Sequence, residues 1–255
     1  MPVASLQEYE RLNPRCTVDA LGATLIYCTP TLQTKSRVDS LMWKEPCTIE
    51  WIARFTADDV LIDIGANVGM YTILAAGARG CRVVAFEPES QNYALLNRNI
   101  VANRLSDRVA AYCLGLSDVS GLSTLYLSDT AAGTSNHSVG EDVDHLLRPK
   151  QGAFAQGCIA ARLDDLIAQG TVPVPSHIKI DVDGFEHRVA RGAWATLQRP
   201  EVRSLLIEIN SHVDDHMALV RDLSGLGFRY DSHQVERVTR RDGPFEGCAE
   251  YVFTR

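Results

Sequence analysis

Val60-Leu61-Ile62-Asp63-Ile64-Gly65-Ala66-Asn67-Val68-Gly69 decides the fold class. Val60 to Ile64 is apolar except for Asp63, as expected of a strand buried on both faces of a parallel sheet. Gly65 and Gly69 then mark a turn. Asn67 is a residue type that caps helices, so a helix is expected from Val68 to about Arg79, where Gly80 stops it. At such a strand-to-helix turn, glycines let the backbone approach a ligand closely, and the helix N-terminus offers free N–H groups.

The same rhythm continues outward. Arg82 to Phe86 reads as the next strand, with Pro88 suited to the first position of the following helix. Val109 to Leu114 is a third strand, and Leu122 to Leu127 adds a hairpin strand. His177 to Ile180 and Arg203 to Ile209 are further parallel strands. Helices are expected over Glu186 to Leu197 and around Val213, Met217 and Val220; Phe228 to Asp231 and Ala249 to Thr254 close the series as strands. Strands alternating with helices imply an α/β fold with a mostly parallel sheet covered on both faces. Residues 1–59 break the rhythm with a hairpin near Leu25 to Cys28 and a helix from Pro46 to about Phe55. They are read as an N-terminal cap on a domain spanning 60–255. Residues 128–157 are irregular and polar, and a loop of that length is expected to act as a lid or acceptor-binding loop.

Composition limits the alternatives. The chain has 255 residues, 45% hydrophobic and 22% charged, with a net charge of −7. That balance gives no field for nucleic acid or an anionic membrane. The 7 cysteines form no C-x-x-C pair, which argues against a disulfide framework or a zinc site built on paired cysteines. The first residues show no signal-peptide pattern, and no apolar run approaches the ~18–20 residues of a membrane helix. The expectation is a cytoplasmic protein without a membrane span, its oligomeric state left open.

Glu87 ends the second strand, and Pro88 biases it to extended geometry. A carboxylate there can accept hydrogen bonds from ribose hydroxyls at the sheet's switch point. Asn67 stands where a dinucleotide fingerprint has its second glycine, which weakens the case for a pyrophosphate. Asp63 adds negative charge that suits a cationic ligand. Together these favour S-adenosylmethionine over NAD. A second carboxylate cluster, Lys179-Ile180-Asp181-Val182-Asp183-Gly184-Phe185-Glu186, follows the fourth strand; its glycine falls outside the EF-hand position. No metal site is assigned.

The ordered series Asp63 to Gly69, Phe86-Glu87-Pro88, Leu116-Ser117-Asp118, Leu163-Asp164-Asp165-Leu166 and Lys179 to Glu186 resembles the FkbM family of S-adenosylmethionine-dependent methyltransferases. The resemblance runs from about residue 44 to 210, and the family's usual Glu is Asp183 here. It implies a class I methyltransferase fold, a seven-stranded sheet whose last strand is antiparallel. It also implies O-methylation of hydroxyls on glycans, polyketides or similar natural products. By the same resemblance, Asp63, Gly65, Ala66, Asn67 and Gly69 surround the methionine part of the cofactor. Glu87 holds the ribose, and Leu116, Ser117 and Asp118 lie by the adenine. Asp181 sits below the methionine amino group or near the transferred methyl.

An alcohol is a weak nucleophile, so a base is expected to assist. Asp181 is the first candidate and Glu208 the second, because both follow parallel strands. Glu186 and His212 follow, and Asp183 and Glu186 can instead shape the acceptor pocket. His137 enters the site or tips a polar loop. Arg237, Arg240 and Arg241, interspersed with Glu236 and Asp242, read as a solvated face. Two other readings stay open: an NAD(P)-dependent oxidoreductase, and a non-catalytic cofactor-binding module.

Overall fold

The computed structural model describes residues 5–151 and 154–255. Helix α1 (Leu6–Arg11) precedes an antiparallel hairpin of β1 (Arg15–Ala20) and β2 (Ala23–Cys28). Helix α2 (Leu32–Ser40) opens on a capping box: Thr31 and Thr34 each accept a backbone N–H from the other. It has no continuous apolar stripe, burying only Thr34, Val38 and Ser40, which is why periodicity does not announce it. Helix α3 (Pro46–Ile52) starts at its proline and ends one turn before Phe55.

The wound part follows as β3 (Val60–Ile64), α4 (Met70–Arg79), β4 (Arg82–Phe86), α5 (Ser90–Ala102) and β5 (Val109–Tyr112). An insert comes next: β6 (Gly115–Leu116), β7 (Gly121–Leu127), β8 (Ser138–Val139) and β9 (Phe154–Ala161). Then come α6 (Leu163–Ala168), β10 (His177–Ile180), α7 (Glu186–Gly192), α8 (Trp194–Leu197), β11 (Ser204–Asn210) and α9 (Asp214–Gly225). The chain finishes with β12 (Arg229–Tyr230), α10 (Ser232–Val238) and β13 (Cys248–Thr254).

Seven strands form the main sheet in the order β12-β13-β11-β10-β3-β4-β5. β13 pairs antiparallel with β11 and β12, and the other pairings are parallel. This is the class I methyltransferase arrangement. The chain runs from β3 outward to β5, then returns to β10 on the other side of β3. That reversal opens a crevice at the carboxyl ends of β3 and β10.

Successive strand residues point to opposite faces, so Leu61 and Ile62 join different cores. One core contains Ile73, Val83 and Leu96 together with Leu25, Tyr27, Ile52 and Phe55 from the N-terminal segment. Each such side chain contributes about 1.5–3 kcal/mol on burial. Polar ties add to this: Tyr27 Oη donates to the Met70 carbonyl, Asn99 Oδ1 accepts the Cys28 N–H, and Trp51 Nε1 donates to Ser204 Oγ. The other core lies between the sheet and α7 to α9, with Ile178, Leu205, Leu223 and Phe253 fully buried.

Several local expectations change. Asn67 does not cap α4. It has φ 51°, and its Oδ1 accepts from the Val68 N–H. The helix begins after Gly69, at φ 83°, where a Cβ would sit 2.4 Å from Leu96 Cδ1. Pro88 is not the first residue of α5: Glu89 caps it, accepting from the N–H groups of Gln91 and Asn92. The helix expected over 186–197 breaks at Ala193 into α7 and α8. The 128–157 region is not a free loop. β8 and the start of β9 lie within it and pair with β7, although residues 152 and 153 are outside the described residues.

Candidate active site

The ends of β3 and β10 touch. Gly65 has φ +77°, and a Cβ there would lie 1.9 Å from the Asp181 carbonyl oxygen. Only glycine fits such an approach. The turn's amides are not free, contrary to expectation. Gly65 and Ala66 both donate to the Phe86 carbonyl, Asn67 to Glu87 and Gly69 to the Ala66 carbonyl. The wall of the crevice is therefore presented by side chains and carbonyls.

A cavity of about 300 Å³ opens over these strand ends. On the β4 side, Glu87 is 5% exposed and lines it. Its Oε2 accepts the Asn67 N–H at 2.7 Å and its Oε1 the Glu89 N–H at 2.9 Å. A carboxylate has about four acceptor positions, so acceptor capacity remains for a diol. Burial pushes the Glu87 carboxyl up to about 7, although these backbone bonds favour its ionised form. Phe86, Leu116, Ser117, Leu125 and Val139 make the wall beyond it. Asp118 is not in that wall; it accepts from Ser117 Oγ at 3.2 Å.

Ala66 and Asn67 line the cavity as well, and Asn67 Nδ2 donates to the Thr134 carbonyl. Asp63 and Gly69 lie behind the wall. Asp63 Oδ2 accepts from Thr72 Oγ1 at 2.5 Å, while Oδ1 is buried without a hydrogen-bond partner among the described residues. Burial pushes the Asp63 carboxyl up, opposed by the Lys179 cation.

On the β10 and β11 side, Asp181, Asp183 and Glu208 all line the cavity. Burial acts to raise Asp181, but buried Lys179, 2.8 Å away, holds it below the usual carboxylate range. Asp183, at φ 56°, accepts the Asn136 N–H at 2.7 Å. Burial and the Asp181 charge push it up to about 7. Glu208 lies 2.9 Å from Arg240 Nη2. Burial and the Asp181 charge raise Glu208 well above the carboxylate range.

Two base candidates do not reach the cavity. Glu186 is 1% exposed and accepts the N–H groups of Val182 and Gly184, with His216 Nε2 3.1 Å away. Its oxygens hold the 182–184 turn in shape. His212 is exposed, its N–H donating to Asn210 Oδ1. His137 does line the cavity. Its Nδ1 accepts the Ser128 N–H, which places the proton on Nε2 beside Thr134 Oγ1. Burial lowers its proton affinity, so it is neutral.

Other lining residues are missed by sequence reasoning: Arg37, Lys44, Glu45, Tyr71, Arg240 and Phe245. The supposed solvated face at 237–241 is wrong for Arg240, which turns inward to Glu208 and Glu250. The available signal was Glu250, a lone charge inside the apolar run Ala249 to Phe253 and 4% exposed. Burial, with the Glu45 charge, raises the Tyr71 phenol far above the ordinary range. Among the described residues, no group of three or more His, Cys, Asp or Glu is disposed to hold a metal ion.

The chain is 31% identical over 157 residues to the hexuronic acid methyltransferase AglP of Haloferax volcanii, covering 62% of this chain and 58% of that protein. It is 28% identical over 216 residues to the 31-O-demethyl-FK506 methyltransferase FkbM of Streptomyces tacrolimicus, covering 76% of this chain and 81% of that protein. Among solved structures, a precorrin-6y C5,15-methyltransferase from Geobacter metallireducens superposes with a TM-score of 0.47 at 13% identity, covering 90% of this chain and 93% of that one. The family model of the methyltransferase FkbM domain matches residues 63–230, well over half of the sequence, and the chain belongs to the FkbM family of methyltransferases.

Proposed function

We propose that the chain transfers a methyl group from S-adenosylmethionine to a hydroxyl of a glycan, polyketide or other natural product. Family membership sets aside the oxidoreductase and non-catalytic readings. The relatives' names point to a hexuronic acid and to a polyketide hydroxyl, which is why these acceptor classes come first.

The residues fit the cofactor. Glu87 has acceptor capacity for the ribose diol, and Phe86, Leu116, Leu125 and Val139 suit an adenine face. Asp181 presents an ionised carboxylate to a cationic methionine end, with Asp63 adding charge from behind. Bound there, the cofactor supplies a methyl group already activated by its sulfonium. The protein must then position the acceptor, exclude water and take one proton.

The observation that carries the reading is the spread of carboxylates along one cavity. Glu87 follows β4 and Glu208 lies on β11, with β3 and β10 between them. Three strand spacings put their strands about 14 Å apart. Glu87 is thus placed for the nucleoside and Glu208 for the reacting end. Burial and the Asp181 charge raise the proton affinity of Glu208, the direction that favours proton acceptance, whereas Lys179 holds Asp181 low and makes it the weaker base. The order of candidates therefore reverses: Glu208 is the base and Asp181 the cofactor-facing anion. Asp183 and Asn136 shape the acceptor side.

The N-terminal segment reaches this site as an outer wall through Arg37, Ser40, Leu41, Lys44 and Glu45. Residues 128–157 form another wall rather than a lid, tied down by Asn67, Asn92, Arg37 and Asp183. Among the described residues, no helix is long and apolar enough to cross a membrane. The cysteines are free thiols, which fits a cytoplasmic setting.

Calorimetry with S-adenosylmethionine, S-adenosylhomocysteine and NAD tests the cofactor. Transfer of labelled methyl into polysaccharide, lipid and small-molecule fractions tests the acceptor. Binding of the first two ligands and base-stable label on a hydroxyl are expected. Binding of NAD alone, or label only on nitrogen or sulfur, would overturn the reading.

A further inference from the structure

Glu208 and Glu250 are directly opposed across the antiparallel pair β11–β13. Like charges at such positions repel. Glu250 is buried at 4% exposure, and the Glu208 side chain is half-buried at 16%. One cation serves both: Arg240 Nη2 lies 2.9 Å from Glu208 Oε1 and 3.1 Å from Glu250 Oε1.

The guanidinium is held from its own backbone outward. The Arg240 N–H donates to the Cys248 carbonyl and the Arg240 carbonyl accepts the Gly247 N–H, both at 2.9 Å. The Phe245 ring centroid lies 5.6 Å from its central carbon. Arg240 thus reaches the cavity from a closed turn between α10 and β13, rather than from a freely swinging surface position.

The other charges around this trio are predominantly acidic. Asp181 faces it from β10, paired with Lys179, and Glu186 faces it from α7. Cys248 lies on β13 with Glu250. Glu45 and Cys47 approach from the N-terminal segment, with Lys44 3.4 Å from Glu45. Without Arg240, two opposed carboxylates would remain buried among further acids, and an ionised Glu208 would lose its only direct cationic partner among the described residues.

We propose that Arg240 is a positioning residue: it fixes the Glu208 carboxylate on the cavity wall and, balanced against Glu250, governs its proton affinity. This rests on the reading of Glu208 as the base. In the step it serves, the acceptor's hydroxyl proton passes to a Glu208 oxygen as the acceptor oxygen bonds to the methyl carbon. The carbon–sulfur bond breaks with its electron pair staying on sulfur, and the proton then leaves Glu208 for solvent. Glu208 and Glu250 are directly opposed and share one cation, so removing either neighbour of Glu208 moves its titration in a defined direction.

Carbon-13 carboxyl NMR on the full chain, labelled at glutamate, reads this without an acceptor. Glu208→Gln assigns the signal. In Arg240→Gln, the Glu208 titration moves to higher pH by at least one unit; Arg240→Lys recovers part of that shift. In Glu250→Gln, with one like charge gone, it moves to lower pH. A Glu208 titration unchanged in folded Arg240→Gln would overturn the proposal. If that variant does not fold, an unchanged or raised midpoint in Glu250→Gln overturns it equally. The base reading fails separately, if Glu208→Gln keeps wild-type methyl transfer to the acceptor fraction while the titrations shift as stated.

Discussion

The two sides of the cavity are built from different materials. The β4 side is made by neighbours in sequence. Glu87 is fixed by the amides of Asn67 and Glu89, and the turn that carries Asn67 is held by the Phe86 carbonyl. The β11 side is made by charges from distant parts of the chain: Glu208, Arg240, Glu250 and Glu45. Backbone bonds set the first side, and their geometry follows from the strand-to-helix turn itself. Buried ion pairs set the second. Removing one partner of such a pair leaves an uncompensated charge, so that side is sensitive to single changes.

This contrast is broken most directly at Glu208. Glu208→Gln keeps the shape and removes the proton acceptor. Turnover should fall ~10²–10⁴-fold, measured with labelled cofactor, while cofactor affinity stays near wild type. A comparable loss of affinity would mean that the two sides do not divide the work.

Glu87→Ala should do the reverse. A charge-assisted hydrogen bond is worth about 1.5–3 kcal/mol, so cofactor affinity should drop roughly 10–150-fold in a folded protein. Unchanged affinity by calorimetry would place the ribose elsewhere.

The pH dependence sharpens the same point. Glu87 is raised to about 7, and under the proposed function ribose hydroxyls would donate to its ionised form. Affinity should therefore climb as pH rises towards 7, by at most about tenfold per unit, and level off above it. Glu87→Gln should flatten that rise. Stability of the free protein runs the other way. Glu87, Asp183 and Glu250 are all raised to about 7, so the stability they contribute is fully present below their unfolded values and is lost as pH passes through 7. Thermal melts between pH 5 and 8 should show a falling midpoint from these groups.

The smallest effect concerns the wall at 133–137. Gly133 donates to Asn92 Oδ1 and Asn136 to Asp183 Oδ2, both at 2.7 Å. Hydrogen exchange at these amides should be slow in the free protein and change little on adding cofactor. Fast exchange that slows only with both ligands would restore a lid.

What the sequence discloses follows the same division. The strands β3, β4, β10 and β11 are apolar runs between turn residues, and Glu87 and Asp181 sit at strand ends, so the fold and the β4 side of the cavity were readable locally. Helix α2 was not, because it buries small polar residues in place of an apolar stripe. Strand β9 begins in an exposed stretch whose partner, β7, lies far back in the chain. Arg240 looks solvated among Glu236, Arg241 and Asp242, and only the closed turn at 240–247 directs it inward. Glu186 and His212 looked suitable by type and spacing. Backbone N–H groups claim the first, and the second faces solvent.

The most direct test is a parallel calorimetric titration of S-adenosylmethionine into wild type, Glu87→Ala and Glu208→Gln, with methyl transfer measured on the same preparations. The account predicts weak binding for Glu87→Ala, and near-normal binding without efficient transfer for Glu208→Gln. Tight binding by Glu87→Ala together with weak binding by Glu208→Gln would contradict it, because the nucleoside would then lie on the β11 side of the cavity.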